Sequence, residues 1–88
     1  MRFIAIATWE PNQRNAYAKK RLEKGRMVSG GIKVLNEWLD TQGGRQIVLF
    51  EADSALDCFN MANNWNHLAR IESFPVVEVK DDKMTQIE

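Results

Sequence analysis

The stretch that decides the fold is Ile32-Lys33-Val34-Leu35-Asn36-Glu37-Trp38-Leu39-Asp40, then Thr41, then Gln42-Gly43-Gly44-Arg45, then Gln46-Ile47-Val48-Leu49-Phe50-Glu51-Ala52. Both flanks are rich in β-branched and aromatic residues, which fit a pleated, half-buried surface. Between them, Gln42-Gly43-Gly44-Arg45 supplies the positive-φ residues that a tight hairpin demands. The spacing predicts two antiparallel strands, over 32–40 and 46–52.

Moving outward, residues 2–9 repeat the strand composition and run into Pro11. Proline suits the first turn of a helix, where its missing N–H is not needed. Residues 12–24 are helical in composition and stop at Gly25. Ser29-Gly30-Gly31 reads as a loop. On the other side of the hairpin, Asp53-Ser54 opens a second helix, with Ser54 and Asp57 at capping-box spacing. At 100° per residue, Ala55, Cys58, Phe59, Ala62, Trp65 and Ala69 share one face, while Asp57, Asn60, Asn64 and His67 share the other. A last strand spans 71–79, with Pro75 marking an edge or a bulge. Residues 80–88 read as a charged tail, expected to fray. The domain is bounded at 1–82, with residues 83–88 as tail. The order βαββαβ predicts an α+β, ferredoxin-like fold: a four-stranded antiparallel sheet with both helices on one face.

A lone domain of this kind wets the other sheet face, so its strands should alternate apolar and polar. These do not. In the first strand Phe3, Ala5, Ala7 and Trp9 oppose Ile4 and Ile6. In the second, Ile32, Val34 and Trp38 oppose Leu35 and Leu39. In the third, Ile47 and Leu49 oppose Val48 and Phe50. In the last, Val77 and Val79 oppose Phe74 and Val76. The chain has no spare element for the surplus face, so the expected cover is a second copy, giving a homodimer through the sheet. At about 25 cal/mol per Å² of apolar area, several hundred Å² is comparable to the whole stability of so small a domain.

Composition narrows the function classes. The 88 residues are enough for one core. Twelve basic and twelve acidic side chains cancel, which argues against a strongly basic nucleic-acid binder. Residues 1–45 nevertheless carry nine basic and four acidic groups, and residues 46–88 carry three and eight. The basic cluster Lys19-Lys20-Arg21 with Lys24 and Arg26 suits the negative pole of the first helix. The third strand carries one aromatic and no Lys/Arg-Gly-aromatic context, unlike an RNA-recognition domain. No apolar run reaches the roughly 18 residues of a membrane span. The apolar start ends at Thr8 without a small-residue cleavage site, so it reads as a strand and the protein as cytoplasmic. Cys58 and His67, nine positions apart on a helix, face opposite ways and form no dyad. No metal site and no cofactor are implied.

Several of these residues together carry a resemblance. Thr8-Trp9 with Pro11 and Arg14, Gly31-Ile32-Lys33-Val34-Leu35-Asn36-Glu37-Trp38, Glu51-Ala52-Asp53, Trp65 and Phe74-Pro75-Val76 lie in an order similar to domain-of-unknown-function family 3303, in the dimeric α/β-barrel superfamily. The chain departs from that pattern at Arg26-Met27-Val28-Ser29, where relatives carry a proline-rich stretch. It also has Leu39 after Trp38, where a histidine is common. The resemblance implies a cavity between helices and sheet. Relatives in the superfamily include cofactor-independent monooxygenases and lactone isomerases that act in such cavities. The ligand-binding candidates are Trp9, Arg14, Tyr17, Asn36, Trp38 and Trp65, with Arg14, Tyr17 and Asn36 as polar lining. Arg14 and Arg21 share a helix face beside the narrow apolar stripe Ala18 and Leu22. Such a pattern either holds an anionic ligand or, more commonly, lets the arginines cover apolar surface or pair with acids, with Glu51, Glu72 or Glu78 as candidate partners. The expected function is a homodimeric binding or interaction module with room for a small apolar or aromatic ligand. A cofactor-independent oxygenase or isomerase and a purely structural dimerisation domain are the alternatives.

Overall fold

The computed structural model describes residues 1–26 and 30–79. Strand β1 (Arg2–Thr8) leads through a single 3₁₀ turn (Pro11–Gln13) into helix α1 (Arg14–Lys24). Strands β2 (Ile32–Leu39) and β3 (Arg45–Ala52) form the hairpin. Helix α2 (Ala55–Asn63) and strand β4 (Arg70–Val76) complete the chain. The sheet order is β2-β3-β1-β4, antiparallel throughout. This is the expected ferredoxin-like fold. Ser29, Met27 and Val28 of the predicted loop, and the tail from Lys80 onward, lie outside the described residues.

Local chemistry sets the element ends. The Asp40 carbonyl accepts from Gly43 N–H at 2.7 Å, and Gly43 sits at φ +74°, as the hairpin required. Helix α1 ends at Gly25, whose N–H donates to the Arg21 carbonyl at 3.0 Å. Ser54 Oγ accepts from Asp57 N–H at 3.4 Å, the predicted cap of α2. Helix α2 is shorter than its pattern suggested. After Asn63 the chain continues in turns, with Leu68 and Ala69 N–H both donating to the Trp65 carbonyl.

Two apolar clusters fill the layer between helices and sheet. One joins Phe3, Ala5, Ile32, Phe50, Ala52, Cys58 and Met61; the other joins Ala7, Trp9, Tyr17, Trp65 and Ala69. The Phe3 and Phe50 rings stack at 5.5 Å. Three expectations fail here. Phe59 is 61% exposed, because the buried side of α2 carries Cys58 and Met61 instead, with Trp65 following in the turn beyond. Leu22 is 87% exposed and Ala18 is exposed, so α1 buries only Tyr17 and has no apolar stripe. Val77 and Val79 lie beyond β4, whose pairing stops at Val76.

The register of β2 is the most consequential departure. Val34 pairs with Phe50 but Asn36 pairs with Leu49, so Leu35 is a bulge. One extra residue reverses which way the rest of the strand faces. Glu37, opposite Val48, therefore faces the helices, whereas Asn36 and Trp38 face away. The outward side then forms two cross-strand rows, Trp38–Ile47–Ile6–Glu72 and Asn36–Leu49–Ile4–Phe74. Charged residues flank them: Lys33, Glu51 and Arg2 in one row, Arg45 and Arg70 in another. The surplus apolar face is real, but Trp38 belongs to it and does not lie with Ile32 and Val34.

Candidate functional site

Beneath the helices, β1 presents only methyl groups, Ala5 and Ala7, at the centre of the sheet. These small residues leave a cavity of about 50 Å³ where the two apolar clusters meet. Val34, Val48, Met61, Ala62 and Ile71 complete its apolar wall; Tyr17, Trp65, Arg21, Arg26, Glu37 and Gln46 form the rest.

The polar side is one connected network. Tyr17 is buried, stacked against Trp9 at 4.4 Å and tilted against Trp65 at 4.9 Å. Its hydroxyl donates to Gln46 Oε1 at 2.6 Å. Gln46 Nε2 in turn donates to Glu37 Oε2. Arg21 Nη2 donates to both Glu37 oxygens, at 3.1 and 3.5 Å, and Arg26 Nε donates to Oε1 at 2.5 Å. Helix α1 is thus fastened to the sheet by the Arg21–Glu37 pair and the Tyr17–Gln46 hydrogen bond, with Tyr17 its one buried apolar anchor. A second fastening runs from Lys20, whose ammonium donates to the Asn64 carbonyl and lies 4.9 Å from the Trp65 ring centroid. Trp65 Nε1 donates to the Arg26 carbonyl at 3.2 Å.

The network tunes its own titrations. Burial pushes the Tyr17 phenol up to about 12, reinforced by the Glu37 charge and partly offset by Arg21. Burial alone would raise Glu37 as well. The Arg26 hydrogen bond, the charges of Arg21 and Arg26, and the Arg21 hydrogen bond outweigh it and hold the carboxyl below its usual range. At neutral pH the site therefore holds a neutral phenol, a carboxylate and two guanidiniums.

Of the residues anticipated from sequence, Tyr17 and Trp65 line the cavity. Trp9 stands behind Tyr17, its indole N–H donating to the Gly43 carbonyl at 2.8 Å. Arg14 is not lining: its guanidinium packs against Gly43, where an added Cβ would fall 2.9 Å from Cζ. Asn36 and Trp38 are on the far side of the sheet, turned there by the bulge. The acid paired with Arg21 is Glu37; Glu51 and Glu78 instead face Arg2, at 3.9 and 3.8 Å, and Glu72 faces Arg70 at 3.7 Å. Glu37, Gln46 and Arg26 were missed as lining. Among the described residues no group of three or more His, Cys, Asp or Glu is placed to hold a metal ion. No helix among them is long and apolar enough to cross a membrane.

The family model described as "Domain of unknown function (DUF3303)" matches residues 1–85. The chain belongs to this family. No curated protein matches the DUF3303 chain. Its fold is similar to that of a crystal structure from Deinococcus radiodurans, provisionally described as an antibiotic biosynthesis monooxygenase. The two share 10% identity at a TM-score of 0.49, over 91% of the DUF3303 chain and 95% of the other. In this DUF3303 member the family stretch Gly31–Trp38 serves both faces of the sheet, Glu37 on one side and Trp38 on the other.

Proposed function

We propose that this protein is a homodimeric binding module that pairs through the outer sheet face and holds one small ligand per subunit in the cavity under α1 and α2. The observation that carries this reading is the connected hydrogen-bond network around Glu37. A general base works best with a pKa near the operating pH. Tyr17, at about 12, and Glu37, held low, lie on either side of that range, and each is already hydrogen-bonded to a neighbour. Such a wall suits recognition better than the proton transfers of an oxygenase or isomerase.

The size of the cavity constrains the ligand. A cavity of about 150 Å³ accepts benzene, and this one is about 50 Å³. An aromatic ligand is therefore too large for it, and the expectation narrows to molecules of a few heavy atoms. Pairing is supported by the apolar rows of the outer face with their charged borders, the anatomy of an interface with a dry centre and a polar rim.

Native mass spectrometry of freshly purified protein, together with sedimentation equilibrium, tests both parts. The expected result is a dimer at micromolar concentration carrying a small-molecule mass that is lost on collisional activation. A folded single copy at that concentration would overturn the dimer, and a dimer free of added mass after incubation with small metabolites would count against the ligand.

A further inference from the structure

We infer that the cavity ligand is a short aliphatic monocarboxylate whose carboxylate meets Arg21 and Arg26 while its hydrocarbon end lies over Ala5 and Ala7. This rests on the binding reading above and names the chemical class for that same cavity.

The first argument is a balance of hydrogen-bonding capacity. Both Glu37 oxygens are occupied by donors from Arg21, Arg26 and Gln46. Both polar atoms of the Gln46 amide are engaged, one by Tyr17 and one by Glu37. Arg21 commits only Nη2 and Arg26 only Nε to these bonds. A guanidinium has five N–H donors, so most of the unspent capacity in this wall is donor capacity on the two arginines, beside one Gln46 N–H and the lone pairs of the Tyr17 hydroxyl. A ligand that completes the site must bring acceptors.

The second argument is charge. Two guanidiniums surround a single carboxylate, and the Lys20 ammonium lies over Trp65 on the adjoining wall. The surplus is positive, so an anionic acceptor is favoured and a cation repelled. The third argument is the rest of the lining. Ala5, Ala7, Val48 and Met61 offer no polar partner to an ion such as phosphate, which would be desolvated against them without compensation. The ligand needs one charged end and one apolar end. Scaled from the roughly 150 Å³ that accepts a six-carbon ring, a cavity of about 50 Å³ takes about two carbons, the ethyl end of propionate.

Titration of the 88-residue chain with propionate, its neutral isostere propanamide and inorganic phosphate tests this, read by NMR shifts at Ala5, Ala7, Tyr17 and the Trp65 indole N–H. Propionate is expected to bind saturably, with propanamide and phosphate each about tenfold weaker or worse and Arg21→Gln reducing propionate affinity by about tenfold. If Arg21→Gln does not fold, Arg26→Gln, at a half-exposed position, carries the same comparison. Propanamide binding as tightly as propionate would overturn the carboxylate class and leave the binding module standing. Phosphate binding as tightly would overturn the need for an apolar end. Propionate affinity unchanged in the arginine variant would overturn the assigned contact. If no probe perturbs the cavity residues, the small-ligand reading itself falls.

Discussion

Replacing Glu37 by glutamine is the most direct probe of how α1 is held to the sheet. The side chain is 19% exposed, and its donors range from the partly covered Arg21 to the half-exposed Arg26. Hydrogen bonds to a charged group are worth about 1.5–3 kcal/mol, whereas exposed ion pairs contribute about 0–1. An amide keeps one acceptor but turns a donor toward at least one of Arg21, Arg26 and Gln46. Discounting the solvated Arg26, the expected loss is about 1–2 kcal/mol at pH 7, or roughly 5–15 °C in Tm for a domain of this size.

The pH dependence distinguishes the charge from mere packing. Glu37 has a folded pKa below its ordinary value of 4.5. Its contribution is therefore fully present above the unfolded pKa and is lost as the pH falls through the folded one. Protonated glutamate and glutamine are near-isosteres, so the two stability curves should stay apart above about pH 5.5 and converge below 4.5. Asp40, whose carboxyl is lowered by the Gln42 N–H and by Arg45, shapes the acid limb of both proteins and cancels in the difference. Urea unfolding from pH 7 to pH 3.5, at one fixed protomer concentration, measures this. A gap that is absent at pH 7, or one that persists unchanged in acid, would refute the electrostatic fastening.

Other expectations are simpler. Under the proposed pairing through the outer face, Trp38→Ala should raise the dimer dissociation constant by about 30-fold, the effect of losing an interface tryptophan worth about 2 kcal/mol, with far-UV circular dichroism unchanged; an unmoved sedimentation equilibrium would count against pairing through this face. Phe50 is 0% exposed, so Phe50→Ala should lose about 3–5 kcal/mol, and a native-like NMR spectrum with full stability would contradict its central place in the core. Burial and the Asp57 charge raise the Cys58 thiol, so its reaction with a disulfide reagent at pH 8 should be about tenfold or more slower than in denaturant; equal rates would mean the site is open.

The order of elements was legible because its signals are local. Gly43 with its neighbour Gly44, Ser54 with Asp57, and Pro11 with Gly25 each announce a turn or an end within a few residues. The family was legible for a similar reason: its motifs sit at those same junctions. Facing was less so. Counting by twos along β2 fails after Leu35, and the only local sign is the adjacent apolar pairs Val34-Leu35 and Trp38-Leu39. That miscount sent Asn36 and Trp38 into the expected cavity and kept Glu37 out. Helix α1 misled for another reason. Arg21 was recognised as seeking an acid, but which acid depends on a strand 16 residues away, and helical periodicity says nothing about that. The phase of α2 slipped because Phe59 and Met61 are both apolar, and only the tertiary packing chooses between them.

The bulge at Leu35 also ties the fates of two surfaces together. Pairing that residue into the ladder instead of bulging it would rotate everything after it, sending the Glu37 carboxylate out opposite Ile47 and the indole of Trp38 in opposite Gln46. A slip of register at the bulge would thus disturb the outer face and the cavity wall in one stroke, whereas most substitutions along the strand would touch only one of them. In this strand, register constrains divergence more tightly than identity does.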